Sequence, residues 1–244
     1  MVEEYHLESW VEVAEKLSQG YTTVILPVGT VEAHGTHLPL STDAIVPIEI
    51  ARRLSERVKA LVAPPIYYGV TQTLSCYPGS IPVTKASFTG YLYDIFVGFA
   101  KSGFLNIIVI NGHAGNTDCI KDAAERAYAS SRIRVLCIDW WIVCDDIVRK
   151  YYGVSSGHGA VEETSAVLAV DESLVKKELY DSRQEILKRN GVWMFPSVGS
   201  VIKREEGDVP NFDAGKAREF FNDVCAYIEG IVKEFMEKAS INPL

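Results

Sequence analysis

Basic charge, paired cysteines and long apolar runs are what this chain is short of, and each shortage closes off a class of function. Its 244 residues carry 24 Lys and Arg against 32 Asp and Glu, a net charge of −8, and no block of basic residues interrupts that balance. A protein that tracks nucleic-acid phosphates needs the reverse, so no nucleic-acid partner is expected. No apolar stretch approaches the roughly 20 residues that cross a bilayer, so no membrane is expected either. The five cysteines (Cys76, Cys119, Cys137, Cys144, Cys225) form neither an even set nor a CxxC pair. That disfavours disulfides and thiolate zinc, and predicts buried, reduced thiols. The stretch "MVEEYHLESW" is acidic and lacks the basic start and apolar run of a signal peptide, which makes the cytoplasm the expected compartment. No GxGxxG or P-loop pattern follows the first strand, which disfavours a non-catalytic nucleotide-binding module.

What is present alternates between short β-branched runs and longer helical patterns, the signature of βαβ units around a mainly parallel sheet in one α/β domain spanning residues 1–244. The strand candidates are "TTVILPVG", "ALVAPPIYYG", "NIIVINGHAG" and "RVLCIDWW". Helical spacing marks "AIVPIEIARRLSERVK", "KASFTGYLYDIFVGFAKSG", "NTDCIKDAAERAYASS" with Asn116 as its N-cap, and "DAGKAREFFNDVCAYIEGIVKEFMEKA". Residues 181–212 are punctuated by Gly and Pro and are expected to be irregular.

The polar residues gather where such a fold binds ligands, in the loops after the carboxyl ends of the strands. Four of the five histidines, His34, His37, His113 and His158, lie in three such clusters: "VEAHGTHLPLSTD", "NGHAGN" and "GHGAVEETS". Glu32 and His34 are two apart, so in extended chain they leave the same face. With Asp43 and His113 they could hold two divalent ions about 3.5–4 Å apart, one carboxylate bridging. Mixed imidazole and carboxylate donors suit Zn, Mn or Fe(II) better than Mg or Ca. His37 reads either as a group that orients a ligand or as a loop residue, Glu162 and Glu163 as ligands or first-turn acids, and Trp140 and Trp141 as core or pocket wall.

In order and separation, "LPVGTVEAHGTHLPLSTD", "NGHAGN" and "HGAVEETS" resemble the three signature blocks of the creatininase (creatinine amidohydrolase) family. "YYGVTQTLSCYPGSI" and "EGDVPNFDAGKA" resemble two further segments of it, so the likeness spans nearly the whole chain. The resemblance implies a sheet of about four parallel strands flanked by helices, two metal ions per chain, and hydrolysis of a non-peptide C–N amide bond in a small molecule. A homo-oligomer, dimer to hexamer, is implied as well. Residue by residue, it implies metal ligation by Glu32, His34, Asp43 and His113, with Asp43 bridging, proton transfer by His158, and a functional carboxylate at Glu163. His37, Tyr68 and Trp141, the last matching a family tryptophan, are the expected pocket residues.

Two departures bear on the substrate. Creatinine-hydrolysing members carry a ligating glutamate where this chain has Gly115; Glu163 is the candidate to replace it, with water or Glu162 as alternatives. They also carry a glutamate and a tryptophan where this chain has Gly157 and Val154, which argues against creatinine as the substrate. Other relatives act on formamides of pyrimidine nucleotides in flavin and deazaflavin synthesis or on modified peptides. A dinuclear phosphoesterase would share the ligand types, but Arg52, Arg53 and Arg57 read as the solvated face of a helix rather than a phosphate grip.

Overall fold

After a surface helix, α1 (Trp10–Ser18), held at its start by a reciprocal Ser9–Glu12 capping box, the chain enters β1 (Thr23–Val28), buried along its whole length. The computed structural model describes residues 4–187, 189, 191–197, 201–205 and 210–241. There follow α2 (Thr42–Ser55), β2 (Leu61–Val62), α3 (Lys85–Lys101), β3 (Asn106–Asn111), α4 (Thr117–Ser131) and β4 (Arg134–Asp139). The remaining elements are α5 (Trp140–Val143), α6 (Asp145–Tyr152), α7 (Val161–Val170), β5 (Glu185–Leu187), β6 (Ile202–Arg204) and α8 (Ala214–Ile241).

The four expected strands form one sheet in the order β2-β1-β3-β4, every pair parallel. Successive side chains of a strand face opposite ways, and β1 and β3 use both faces. Val24, Leu26, Val28, Ile107 and Val109 pack against α3 and α4, while Ile25, Ile108 and Ile110 face α2, α7 and α8. Burying each such side chain is worth about 1.5–3 kcal/mol, so two-sided burial anchors the strands that carry the polar clusters. β2 stops after two residues because Pro64 and Pro65 follow closely and have no N–H to extend the ladder.

Several expectations change. Within 181–212 the described residues include a short parallel pair, β5 with β6, rather than irregular chain throughout; positions 188, 190, 198–200 and 206–209 lie outside the description. Asn116 precedes α4 but caps nothing with its side chain. Its amide instead accepts from the Val70 N–H at 2.9 Å and donates to the Gly29 carbonyl at 3.0 Å, tying three loops together at the strand ends. The cysteines are all free, yet Cys76 and Cys137 are exposed rather than buried, Cys137 because β4 is an edge strand. Among the described residues, no helix is long and apolar enough to cross a membrane.

Candidate metal centre

Asp43 reaches the middle of the site because the first turn of α2 wedges between the ends of β1 and β3. A Cβ on Gly29 would stand 2.4 Å from the Asp43 carbonyl oxygen, and one on Gly112 only 2.0 Å from it, so both strand exits require glycine. Pro47, four residues on, has no N–H to offer that carbonyl and its ring crowds it, which turns the peptide toward the strands. The Asp43 carboxylate, in the first turn, is favoured by the positive end of the helix.

Around it stand the predicted partners. His34 Nε2 is 2.8 Å from Asp43 Oδ1 and 3.8 Å from Glu163 Oε1, and His113 Nδ1 is 2.9 Å from Asp43 Oδ2 and 3.2 Å from Glu32 Oε1. Glu32, Asp43 and His113 form one set of donor atoms lying within 4.8 Å of one another, and His34, Asp43 and Glu163 form a second. Asp43 belongs to both. A third grouping, Glu32, His34 and His158, overlaps them.

Each histidine has one ring nitrogen committed to the backbone. His34 Nδ1 faces the Glu32 carbonyl at 3.1 Å, His113 Nε2 the Val70 carbonyl at 2.8 Å, and His158 Nε2 the Ala33 carbonyl at 2.8 Å. A carbonyl only accepts, so each of those nitrogens carries the hydrogen and the other presents its lone pair to the cluster when the ring is neutral. Glu32 Oε1 and Asp43 Oδ2 are buried and receive no hydrogen bond. Thr71 donates to the other Glu32 oxygen, and the Gly159 N–H donates to Glu163 Oε2 at 2.5 Å. With the rings neutral, the Glu32 Oε1 and Asp43 Oδ2 acceptors and the ring lone pairs converge on a space that no N–H or O–H fills, the arrangement a cation satisfies.

Protonation carries the same imprint. Burial alone would push His34 down, but Asp43, Glu163 and Glu32 outweigh it and lift the imidazole to about 10. His113 is likewise raised, Glu32 and Asp43 outweighing its burial. Burial raises Glu163 to about 7 despite the nearby His34. Asp43 is held well below the ordinary carboxylate range, its burial overcome by His34 and His113. His158 behaves oppositely: burial, then His34, whose ring centroid is 4.3 Å away, lowers it to about 4.

The structure brings together Glu32, His34, Asp43, His113, His158 and Glu163, and leaves the three pocket candidates outside. His37 is buried beneath the site, its Nε2 2.8 Å from Thr164 Oγ1 and its ring edge-on to Tyr180 and Phe212. That contact braces α7, the helix that carries Glu163. Tyr68 lines a separate surface depression with Tyr67 and Tyr91, and Trp141 packs against the core beside α6 and α8. The cavity over the cluster measures about 570 Å³ and is walled by Val70, Gln72, Leu74, Lys85, Phe195 and Lys203, with Glu32, His113 and His158 reaching it. Lys203 and Phe195 were invisible to motif reading because their segment carries no pattern of its own.

Both positions at which the family resemblance leads one to expect a glutamate are closed to side chains. A Cβ on Gly115 would stand 2.2 Å from the Val70 carbonyl oxygen and 2.6 Å from His113 Nε2; one on Gly157 would stand 2.3 Å from the Lys203 carbonyl oxygen. The His113–Val70 hydrogen bond occupies the first space. Glu163, on α7, brings a carboxylate to the cluster from the other side.

Comparison with known proteins points to one family. The family model described as creatininase, creatinine amidohydrolase, matches residues 6–229. A creatinine amidohydrolase of Pseudomonas putida is 29% identical over 185 residues, covering 68% of this chain and 71% of that protein. A mycofactocin precursor peptide peptidase of Mycobacterium ulcerans is 25% identical over 233 residues, covering 86% and 84%. Among solved structures, a mutant creatininase of Zn-Zn type superposes with a TM-score of 0.78 at 22% identity, covering 96% of this chain and 98% of that one.

Proposed function

The chain belongs to the creatininase family, and from that premise we propose that it is a dinuclear metal-dependent amidohydrolase acting on a small-molecule amide other than creatinine. The observation that carries the reading is Asp43, whose two carboxylate oxygens face different histidines and serve two donor sets. Glu32, Asp43 and His113 would hold one cation, and His34, Asp43 and Glu163 the other. The donor chemistry favours Zn, Mn or Fe(II). Two such cations, when bound, polarise the amide carbonyl and bring the acidity of a water near neutrality.

The chain's own residues supply the rest. His158 is neutral at pH 7, donates Nε2–H to Ala33, and turns its Nδ1 lone pair toward the cluster, 3.7 Å from Glu32 Oε1. It accepts a proton from the attacking water and delivers it to the departing nitrogen, which an amide needs because unprotonated nitrogen leaves poorly. Thr71 fixes the Glu32 carboxylate, and the Gly159 N–H fixes that of Glu163. His37 holds α7 in place through Thr164.

The likeness to a peptide peptidase supports a second reading, cleavage of a modified peptide, since the cavity is open and Phe195 at its edge is exposed. A homo-oligomer is consistent with the exposure of Trp10, Tyr68, Ile142 and Trp193, and light scattering would read it. The functional test is elemental analysis followed by a panel scoring ammonia, formate, amine and phosphate release by the metal-loaded protein. About two first-row metals per chain and C–N cleavage are expected. Absence of binding in metal titrations, or release of phosphate alone, would sink the proposal.

A further inference from the structure

Among the described residues, the wall of the metal-site cavity around the cluster carries charge of one sign. Apart from Glu32 and the histidines of the cluster, the charged residues described in its lining are Lys85 and Lys203, in a protein whose net charge is −8. The Glu32, Asp43 and Glu163 carboxylates largely cancel two divalent cations, so the field that an incoming ligand meets is left to the ammonium groups.

Lys203 is the better placed of the two. Its backbone exchanges both hydrogen bonds with that of His158, Lys203 N–H to His158 O at 3.0 Å and His158 N–H to Lys203 O at 2.8 Å, an antiparallel pair. Residues so paired lie directly opposite, with Cα atoms roughly 5.5 Å apart and side chains on the same side. The lysine stem therefore rises beside the imidazole proposed to move the proton. Its ammonium donates to Ser197 Oγ at 3.2 Å. Ser197 is itself fixed, its N–H donating to the Thr73 carbonyl at 2.7 Å and its hydroxyl to the Met194 carbonyl at 3.2 Å. An ammonium has three donors, and no carboxylate among the described residues pairs with this one. Lys85, at the start of α3, is exposed and lies 3.7 Å from Asp118, a pair too solvated to neutralise it.

We propose that Lys203, assisted by Lys85, is the specificity determinant of this cavity and binds an anionic group, carboxylate or phosphate, on the amide substrate. The inference rests on the amidohydrolase reading and narrows it: the substrate is a small amide with an acidic arm, the arm held by Lys203 while its C–N bond lies over the cluster. The apolar wall formed by Val70, Leu74 and Phe195 receives the segment between them.

The test uses short alkyl hydroxamates, whose head group seeks the metals, ending in a carboxylate, a phosphonate or a neutral carboxamide. Calorimetry on the metal-loaded protein should give at least ~10-fold tighter binding of one anionic tail over the carboxamide, the scale of one charge-assisted hydrogen bond in a partly enclosed site. Which anion wins distinguishes carboxylate from phosphate. Lys203→Met should reduce the preference to within about twofold while leaving metal content and carboxamide binding unchanged, and Lys85→Met should reduce it only in part. Equal affinity of all tails for the wild type, with the hydroxamates binding well, overturns the inference and leaves the amidohydrolase reading standing. A preference that survives in Lys203→Met overturns the assignment to Lys203. Failure of every hydroxamate to bind metal-loaded protein refutes both readings.

Discussion

Gly115→Ala tests whether the space beside His113 is as closed as the geometry makes it. The added methyl would stand 2.2 Å from the Val70 carbonyl oxygen and 2.6 Å from His113 Nε2, where ordinary contacts begin near 3.4 Å. Neither neighbour is the free end of a flexible chain: one is backbone, and the other is the imidazole hydrogen-bonded to it at 2.8 Å. The loop must move or the His113–Val70 bond must break. Overpacking of this kind costs about 1–3 kcal/mol, which in a chain of this length lowers Tm by a few degrees. The larger effect falls on the metal. Without the Val70 carbonyl to fix its tautomer, His113 loses the restraint that presents Nδ1, and affinity at the Glu32–Asp43–His113 set should fall about 10–100-fold. The other set, which does not use His113, should be little changed. Competitive titration with a chromophoric chelator separates the two steps, and a thermal melt gives the stability cost. Gly115→Glu should do worse, not supply the ligating glutamate that the resemblance leads one to expect at this position. Wild-type Tm and two unchanged binding steps in Gly115→Ala would refute the closed-space argument; a tighter second ion in Gly115→Glu would refute the assignment of Glu163.

Asp43→Ala should abolish both binding steps in the same titration, whereas Glu163→Gln should weaken only one and recover activity partly in excess metal; equal losses in the two variants would contradict the bridging role. His158→Gln should keep its metals and lose about 10²–10⁴ in kcat, and an emptied site would reassign His158 as a ligand. In metal-stripped protein, His34 is lifted from 6.5 to about 10, so its contribution to stability is fully present below pH 6.5 and is lost as the pH rises toward 10. Thermal melts should show Tm declining across that window, less steeply in His34→Gln; a flat wild-type profile would count against the imidazolium. Turnover of creatinine should be at least ~100-fold below that of the true substrate, because Gly157 has no room for a glutamate; efficient creatinine hydrolysis would overturn this.

The layers and most of the candidate ligands are legible in the unfolded chain. Continuously apolar runs such as "TVILPV" and "NIIVIN", separated by helical patterns, fit a parallel sheet covered on both faces, and that arrangement sends every following loop to the same edge. Glu32, His34, Asp43 and His113 stand out for that reason. The capping box at Ser9 and Glu12 is a local pattern too, although the helix it starts is not among the expected elements. What no local pattern could decide is which side chains at that edge share a cavity. His37 sits in the same loop as His34, yet Gly35, with φ of 60°, turns the chain between them, so that one ring enters the cluster and the other passes beneath it to Thr164. Tyr68 and Trp141 carry family likeness but face a separate depression and the core. Glu163 reads equally as a first-turn acid or as a ligand until α7 packs against α2, which places its carboxylate 3.8 Å from His34. Lys203 has no local signal at all. It enters the cavity through backbone pairing with His158, far earlier in the chain, and pairing between distant segments is set by the packed fold rather than by the residues on either side.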